Sequence, residues 1–248
     1  MQKIKNKIKR FFIYQFESFF HLDSTDTDIQ ANYPNQANFS NIIEILEKKN
    51  VETLDIIHID SIPSIVPQKH FEKNILKNYL KTNISSFEKI IYDTTNDTKI
   101  NVVYSINESF YNLFINKEKN YRNINYFTHI YNFLSKVNIS KEQSFFINLN
   151  DKSFYILIFN KGEFIFFNKF KINDKNDFLY YLFFVVKNFE SLNDKEKIIF
   201  LGKFNRYNDY YKSASKFSKI DFIENNNFSL LEYKSEYYSV LNENHSWT

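Results

Sequence analysis

Ser144-Phe-Phe-Ile-Asn-Leu149, Phe154-Tyr-Ile-Leu-Ile-Phe159 and Phe164-Ile-Phe-Phe167, the last continuing to Ile172, are the three runs whose reading decides the fold. Aromatic and β-branched residues suit a pleated, packed surface, so each run predicts a strand. The runs do not alternate cleanly between apolar and polar, which predicts a sheet covered on both faces. Asn160-Lys-Gly-Glu163 separates the last two and contains one of the chain's two glycines. It predicts a three-residue hairpin loop with Gly162 in the left-handed conformation.

Asp174 and Asp177 resemble a capping box ahead of Phe178-Leu-Tyr-Tyr-Leu-Phe-Phe-Val-Val186. The predicted helix ends near Phe189, and its apolar residues run all the way round, so it is expected to be buried on most sides. Nine apolar residues fall well short of the roughly 20 that span a bilayer. Lys197-Ile-Ile-Phe-Leu-Gly202 predicts a buried strand with Gly202 at its end. Residues 145–203 thus form the best-defined core unit.

The 248 residues have a formal net charge of +3, too small to imply a nucleic-acid or membrane partner. Hydrophobic residues make up 43% and charged residues 25%, the balance of a folded globular chain. Lys, Asn, Ile, Phe and Tyr dominate while Gly and Pro are scarce. That pattern resembles A/T-rich coding, so the aromatic content is weak evidence for a binding surface. Arg10, Arg122 and Arg206 are the only arginines, which weighs against a dedicated nucleic-acid reader. There is no cysteine, which excludes disulfide and thiolate chemistry and fits a reducing cytoplasm. Met1 to Arg10 is basic and precedes Phe11-Phe-Ile-Tyr14, but Gln15 and Glu17 interrupt the apolar region and no small-residue cleavage site follows.

Elsewhere the pattern predicts one or two strands over Phe11 to Leu22, a loop from Asp23 to Asn38 and a helix over Phe39–Lys49. A strand at Leu54–Ile59, an irregular link from Ser61 to Val66 and a helix from Pro67 to Leu80 follow. Phe87 to Tyr92 is extended or helical, Ile100–Ile106 a strand, and Asn107 opens a helix to about Asn116. Tyr126 to Val137 reads as strand or helix. A helix over Tyr207–Phe217, a strand over Ile220–Ile223 and a frayed end from Asn242 complete the chain. Helix 39–49, strand 54–59 and helix 67–80 come in the same order as helix 178–189, strand 198–202 and helix 207–217. That order predicts a duplicated α/β architecture, with halves at 1–140 and 141–248.

Two halves, each with a three-strand meander followed by alternating helices and strands, resemble the actin, sugar-kinase and heat-shock ATPase fold. The expected class is α/β, with duplicated actin-like (ribonuclease H-like) halves, each a mixed sheet with flanking helices. Asn168-Lys-Phe170, Asp177-Phe-Leu-Tyr-Tyr-Leu182, Gly202 and Ile65-Val-Pro67 ahead of Phe71 resemble the bacterial domain of unknown function 3822 family. Its members look like degenerate relatives of the actin-like proteins, nearest to those that act as scaffolds in pilus and secretion assemblies.

The resemblance implies where a nucleotide would sit. Active superfamily members hold ATP with Asp-x-Gly loops, in which glycine lets backbone amides approach phosphate and the aspartate works through a metal. Here the matching loop is Asn148-Leu-Asn-Asp-Lys152, without glycine, and the first half offers Gln15-Phe-Glu-Ser18. Asn150, Asp151, Lys152 and Gly202 are therefore the candidates for a degenerate nucleotide cleft. No catalytic residue, metal ligand or cofactor is assigned.

Other chemistry finds little support. The acids from Asp23 to Asp28 lack the glycine and glutamate of a calcium loop. His21, His58, His70, His129 and His245 form no local ligand pair, and His58 reads as a core residue. The expectation is a cytoplasmic, non-catalytic pseudo-ATPase scaffold with a protein partner, open to homodimerisation and without membrane insertion. The alternatives are a nucleotide-binding switch or ATPase, or an RNA-binding accessory protein using Lys203 and Arg206 beside Tyr207, Tyr210, Tyr211 and Lys212.

Overall fold

The computed structural model describes residues 10–15, 19–24, 31–34, 39–48, 51–82, 87–115, 120–136, 143–150, 152–189 and 197–223. The chain divides into two compact units, Met1–Val137 and Asn138–Thr248.

In the first unit, β1 (Arg10–Gln15), β2 (Phe19–Ser24) and β3 (Ala31–Pro34) form an antiparallel meander. Helix α1 (Phe39–Lys48) leads to β4 (Thr53–His58), which pairs parallel to β1. The chain then builds β5 (Ser64–Pro67), α2 (Leu76–Leu80), β6 (Lys89–Thr94) and β7 (Ile100–Ile106). Helix α3 (Glu108–Ile115), β8 (Asn120–Asn125) and α4 (Tyr126–Leu134) follow. The main sheet has the order β3-β2-β1-β4-β8, and β5-β7-β6 form a separate antiparallel sheet. Phe11, Ile13, Leu54 and Ile56 line one face of the main sheet, packed with Leu46 of α1 and with Phe110 and Phe114 of α3. On the other face Tyr14 meets His129 of α4 edge-on.

The second unit repeats this plan. Strands β9 (Ser144–Leu149), β10 (Ser153–Asn160) and β11 (Glu163–Lys171) form the meander. Then come α5 (Lys175–Phe189), β12 (Lys197–Leu201), α6 (Asn208–Ala214) and β13 (Ile220–Ile223). The order β11-β10-β9-β12-β13 matches the first unit position for position. Strands β9 and β10 are buried on both faces, and β11 alternates as an edge strand should. Phe145, Ile147, Phe154, Ile156, Ile198 and Phe200 pack against Phe178, Leu182, Val185 and Val186 of α5. Each such side chain, taken fully out of water, contributes about 1.5–3 kcal/mol.

Several expectations change. The β10–β11 connection has two residues, Lys161 and Gly162, both at positive φ (52° and 82°), because Asn160 pairs directly with Glu163. Two positive φ values match the twist of a hairpin better than a longer loop does. Helix α5 buries one face only, and Tyr180 and Phe184 stand in solvent. The expected helix over 67–80 breaks into 3-10 turns at Gln68–His70 and Lys73–Ile75 before α2. Phe71 and Glu72 are extended there, and the Tyr79 hydroxyl donates to the His70 carbonyl and accepts from the Glu72 N–H. That stretch belongs to the small sheet, so α3 and β8 are the counterparts of α6 and β13. The strand β3 falls inside the expected loop from Asp23 to Asn38, and β5 falls inside the expected irregular link from Ser61 to Val66 because it pairs with β7.

Local capping explains where α5 and α3 start. The Asp174 carboxylate accepts from the N–H groups of Asn176 (2.7 Å) and Asp177 (3.0 Å). Asp177 reaches back to the Asn173 N–H at 2.9 Å. Asn107 caps α3 by accepting from the Phe110 N–H at 2.9 Å.

Candidate functional site

In an open sheet of this kind, ligands bind beyond the carboxyl ends of the parallel strands. In the second unit those ends belong to β9, β12 and β13. Asn150 follows β9; it is buried, and its N–H donates to the Ser153 carbonyl at 2.8 Å, closing the turn into β10. Lys152 is exposed, and its carbonyl accepts from the Ile172 N–H at 3.0 Å. Asp151 lies outside the described residues. Continuing the β9–β12 register beyond Ile147–Phe200 puts Gly202 beside the end of β9. Asn150 and Gly202 therefore share one sheet end.

Gly202 sits at φ +85°, and a Cβ there would lie 2.5 Å from two atoms of the Phe204 ring. The glycine is required by its backbone conformation and by that ring. Phe204 is itself buried in the core of the unit, and its N–H donates to the Tyr211 hydroxyl at 3.3 Å. Burial pushes the Tyr211 hydroxyl up to about 12. Tyr207 and Tyr211 are core residues, so the aromatic surface expected around Lys203 and Arg206 lacks two of its rings. Lys203 instead lies over Phe222 at 5.1 Å, and Arg206 over Tyr207 at 5.2 Å.

The first unit fills the corresponding place differently. Gln15, His58 and Asn123, from β1, β4 and β8, form a hydrogen-bonded row across the sheet. His58 Nδ1 is 2.5 Å from Gln15 Oε1, and Nε2 is 2.9 Å from Asn123 Oδ1. A neutral imidazole donates from one nitrogen only, so one of the two amides turns its NH2 to the ring. Burial lowers the His58 pKa to about 4, against the Asn123 hydrogen bond, so the ring is neutral at pH 7. It packs against Tyr104 and Phe110. Among the described residues no group of three or more His, Asp or Glu side chains is arranged to hold a metal ion.

Asp93 was not legible as a notable residue. Its carboxylate accepts from the Asn125 N–H (2.5 Å), Thr128 Oγ1 (2.6 Å) and Tyr104 Oη (3.4 Å), at the N-terminus of α4. Burial pushes it up to about 7, with those three donors opposing the shift. Asn125 also donates to the Ser61 carbonyl, and Ser61 Oγ donates to that of Ser105. The network ties the small sheet to β8 and α4. The only sequence signal was a polar residue closing the apolar run Ile90-Ile91-Tyr92. Asp55, also buried, is held by Arg122 through two bonds of 2.7 and 2.9 Å.

No curated protein matches the chain. Among solved structures, it is similar to a Bacteroides thetaiotaomicron protein described as having an actin-like ATPase fold and unknown function. The TM-score is 0.73 at 15% identity, covering 93% of this chain and 97% of that one. It is also similar to a chain of the PilM–PilN type IV pilus biogenesis complex, with a TM-score of 0.57 at 8% identity and coverage of 91% and 90%. Identities this low carry the fold alone, and the fold is the actin-like ATPase fold with its duplicated architecture. The model for the family described as protein of unknown function (DUF3822) matches residues 5–220, and the chain belongs to that family.

Proposed function

We propose that the protein is a non-catalytic member of the actin-like fold, a cytoplasmic scaffold that works by binding other proteins. The observation that carries this reading is the Phe204 ring packed against Gly202. A phosphate-binding loop needs backbone amides open to a ligand. Here the one glycine at the strand ends of the second unit is covered by a core side chain. The Gln15–His58–Asn123 row supports the same reading, because both ring nitrogens of His58 are taken up by the two amides. PilM, which shares the fold, was solved as a complex with PilN, and this chain is proposed to act in the same general way. No helix among the described residues is long and apolar enough to cross a membrane.

Titration calorimetry of the full chain with magnesium ATP tests this reading. The expected result is no saturable heat. Saturable binding that disappears in Asp151→Ala would establish a working nucleotide site and overturn the scaffold reading.

A further inference from the structure

A helix that is apolar all round is ordinarily enclosed. Helix α5 is not. Tyr180 is 65% exposed and Phe184 55% exposed, and their rings stack at 6.2 Å on the face turned away from the sheet. Beside them Phe183 meets Phe217, which is 70% exposed. Single exposed apolar residues are commonplace, but a contiguous aromatic patch marks a surface that something covers.

The arrangement of residues along α5 identifies the cover. Tyr180 and Phe184 lie equally far on either side of Leu182. So do Asp177 and Lys187, and so do Asn176 and Asn188. A second α5 laid antiparallel about a two-fold axis at Leu182 sets Tyr180 against the partner's Phe184, twice. The same axis brings Lys187 of each copy to the partner's Asp177. Asn176, Tyr180, Phe184 and Asn188 form one i, i+4 ridge, and two such ridges interlock at a crossing angle of about −50°. The charged pairs lie about 7.5 Å along the helix from the axis, within the reach of a lysine side chain across the diverging helices. Asp177 Oδ2 is engaged by Asn173, and that bond fixes the carboxylate on this face. A patch whose apolar and charged residues are complementary to themselves fits an isologous contact.

We propose that the protein forms a two-fold symmetric dimer through the outer face of α5, with Tyr180 and Phe184 at its centre and Asp177–Lys187 pairs flanking them. The inference stands apart from the scaffold reading, since a nucleotide-binding chain would pair in the same way.

Sedimentation velocity of the full chain over roughly 1 to 100 µM tests it. A concentration-dependent monomer–dimer equilibrium is expected. Phe184→Asp raises the dissociation constant by ~30-fold or more, as loss of a central anchor does, and leaves the circular dichroism unchanged. Lys187→Asp alone weakens pairing by roughly fivefold, and an equimolar mixture with Asp177→Lys recovers it as a heterodimer. The chain has no cysteine, so an equimolar mixture of Tyr180→Cys and Phe184→Cys gives a disulfide-linked heterodimer under mild oxidation if the two-fold axis is placed correctly. A monomer across the whole range overturns the proposal, as does a dimer that Phe184→Asp leaves intact. A monomer whose α5 amides lose hydrogen-exchange protection when residues 224–248 are removed also overturns it, and assigns the face to the chain's own end.

Discussion

The two units share a strand order but not a chemistry. In the first, the buried polar residues include Asp55 and His58, and the Asp93 carboxylate is enclosed at the start of α4. In the second, the buried polar residues among those described are Gln143, Ser144, Asn148, Asn150 and Ser153, none of which titrates near neutrality. Where the first unit closes its strand ends with an imidazole between two amides, the second closes them with Phe204. One backbone plan therefore tolerates two ways of closing a strand end. The contrast also says where each unit is vulnerable: the first to pH, the second to loss of packing.

The largest effect belongs to the second unit. Phe178 is fully buried and touches Phe154, Phe200 and Tyr210. Phe178→Ala is expected to cost about 4 kcal/mol, read as a lower urea midpoint for protection of the β9 and β10 amides. The loss should be the same at pH 5 and pH 7. A pH-dependent loss would break the contrast between the units.

The first unit carries two opposed pH effects. Asp93 is raised in the folded chain from 3.8 to about 7, so its contribution is complete below pH 3.8 and is lost as pH rises through 7. His58 is lowered from 6.5 to about 4, so its contribution is present above pH 6.5 and is lost as pH falls through 4. Between pH 4 and 6.5 the two slopes oppose each other. Asp93→Asn is expected to leave a first unit whose stability rises with pH, and His58→Gln one whose stability falls. Each amounts to about 3 kcal/mol across the window. Hydrogen exchange of the β4 and β7 amides reads this out. Identical profiles for wild type and both variants would refute it.

Gly202 separates the packing account of the second unit from a ligand account. Gly202→Ala places a methyl group against Phe204 and strains a positive φ, for about 3 kcal/mol. In a Phe204→Ala background the same change is expected to cost only about 1 kcal/mol, the backbone part alone. An undiminished cost would show that the ring is not what the glycine serves.

The second unit was legible in the sequence almost residue by residue. Its apolar runs are bounded by turn residues, and strand and helix lengths differ enough to tell them apart. The first unit was less so. Ala31-Asn-Tyr-Pro34 reads as part of a loop and becomes β3 only because β2 offers it a ladder. The 67–80 stretch has a helical apolar spacing, but Phe71, Leu76 and Tyr79 spend it on Val66 and Val103 of a small sheet. Asp93 was invisible because its burial depends on Tyr104, Asn125 and Thr128, distant in sequence. The outer face of α5 was misjudged for the opposite reason: composition shows that a helix is apolar, not which side meets its own sheet. Of the candidate site, the sequence located Asn150 and Gly202 at the strand ends, but a glycine facing a phosphate and one facing a phenyl ring look alike until Phe204 is placed.

The smallest effects lie in the turns, where, among the described residues, each unit holds one non-glycine residue in the left-handed region. Thr98, in the β6–β7 turn, has φ 59°, and Lys161, in the β10–β11 turn, has φ 52°. Left-handed backbone costs a β-branched residue most, because its Cβ substituents crowd the neighbouring peptide groups. Asp97 holds the first turn in place by accepting from Thr95 Oγ1 and the Lys99 N–H. Thr98→Gly removes the crowding and leaves those bonds intact, so a gain of about 1 kcal/mol is expected after the added chain entropy of glycine. Lys161 has no branch at Cβ, and its turn already has Gly162 in the second position. Lys161→Asn gives the Asn-Gly pair such hairpins favour, for a gain of about 0.5 kcal/mol. Urea midpoints of the two variants, read by amide exchange in β7 and β10, should rise in that order. If Lys161→Asn gives the larger gain, the strain lies mainly in the second unit's hairpin, and the first unit's Asp97-braced turn is the better relaxed of the two.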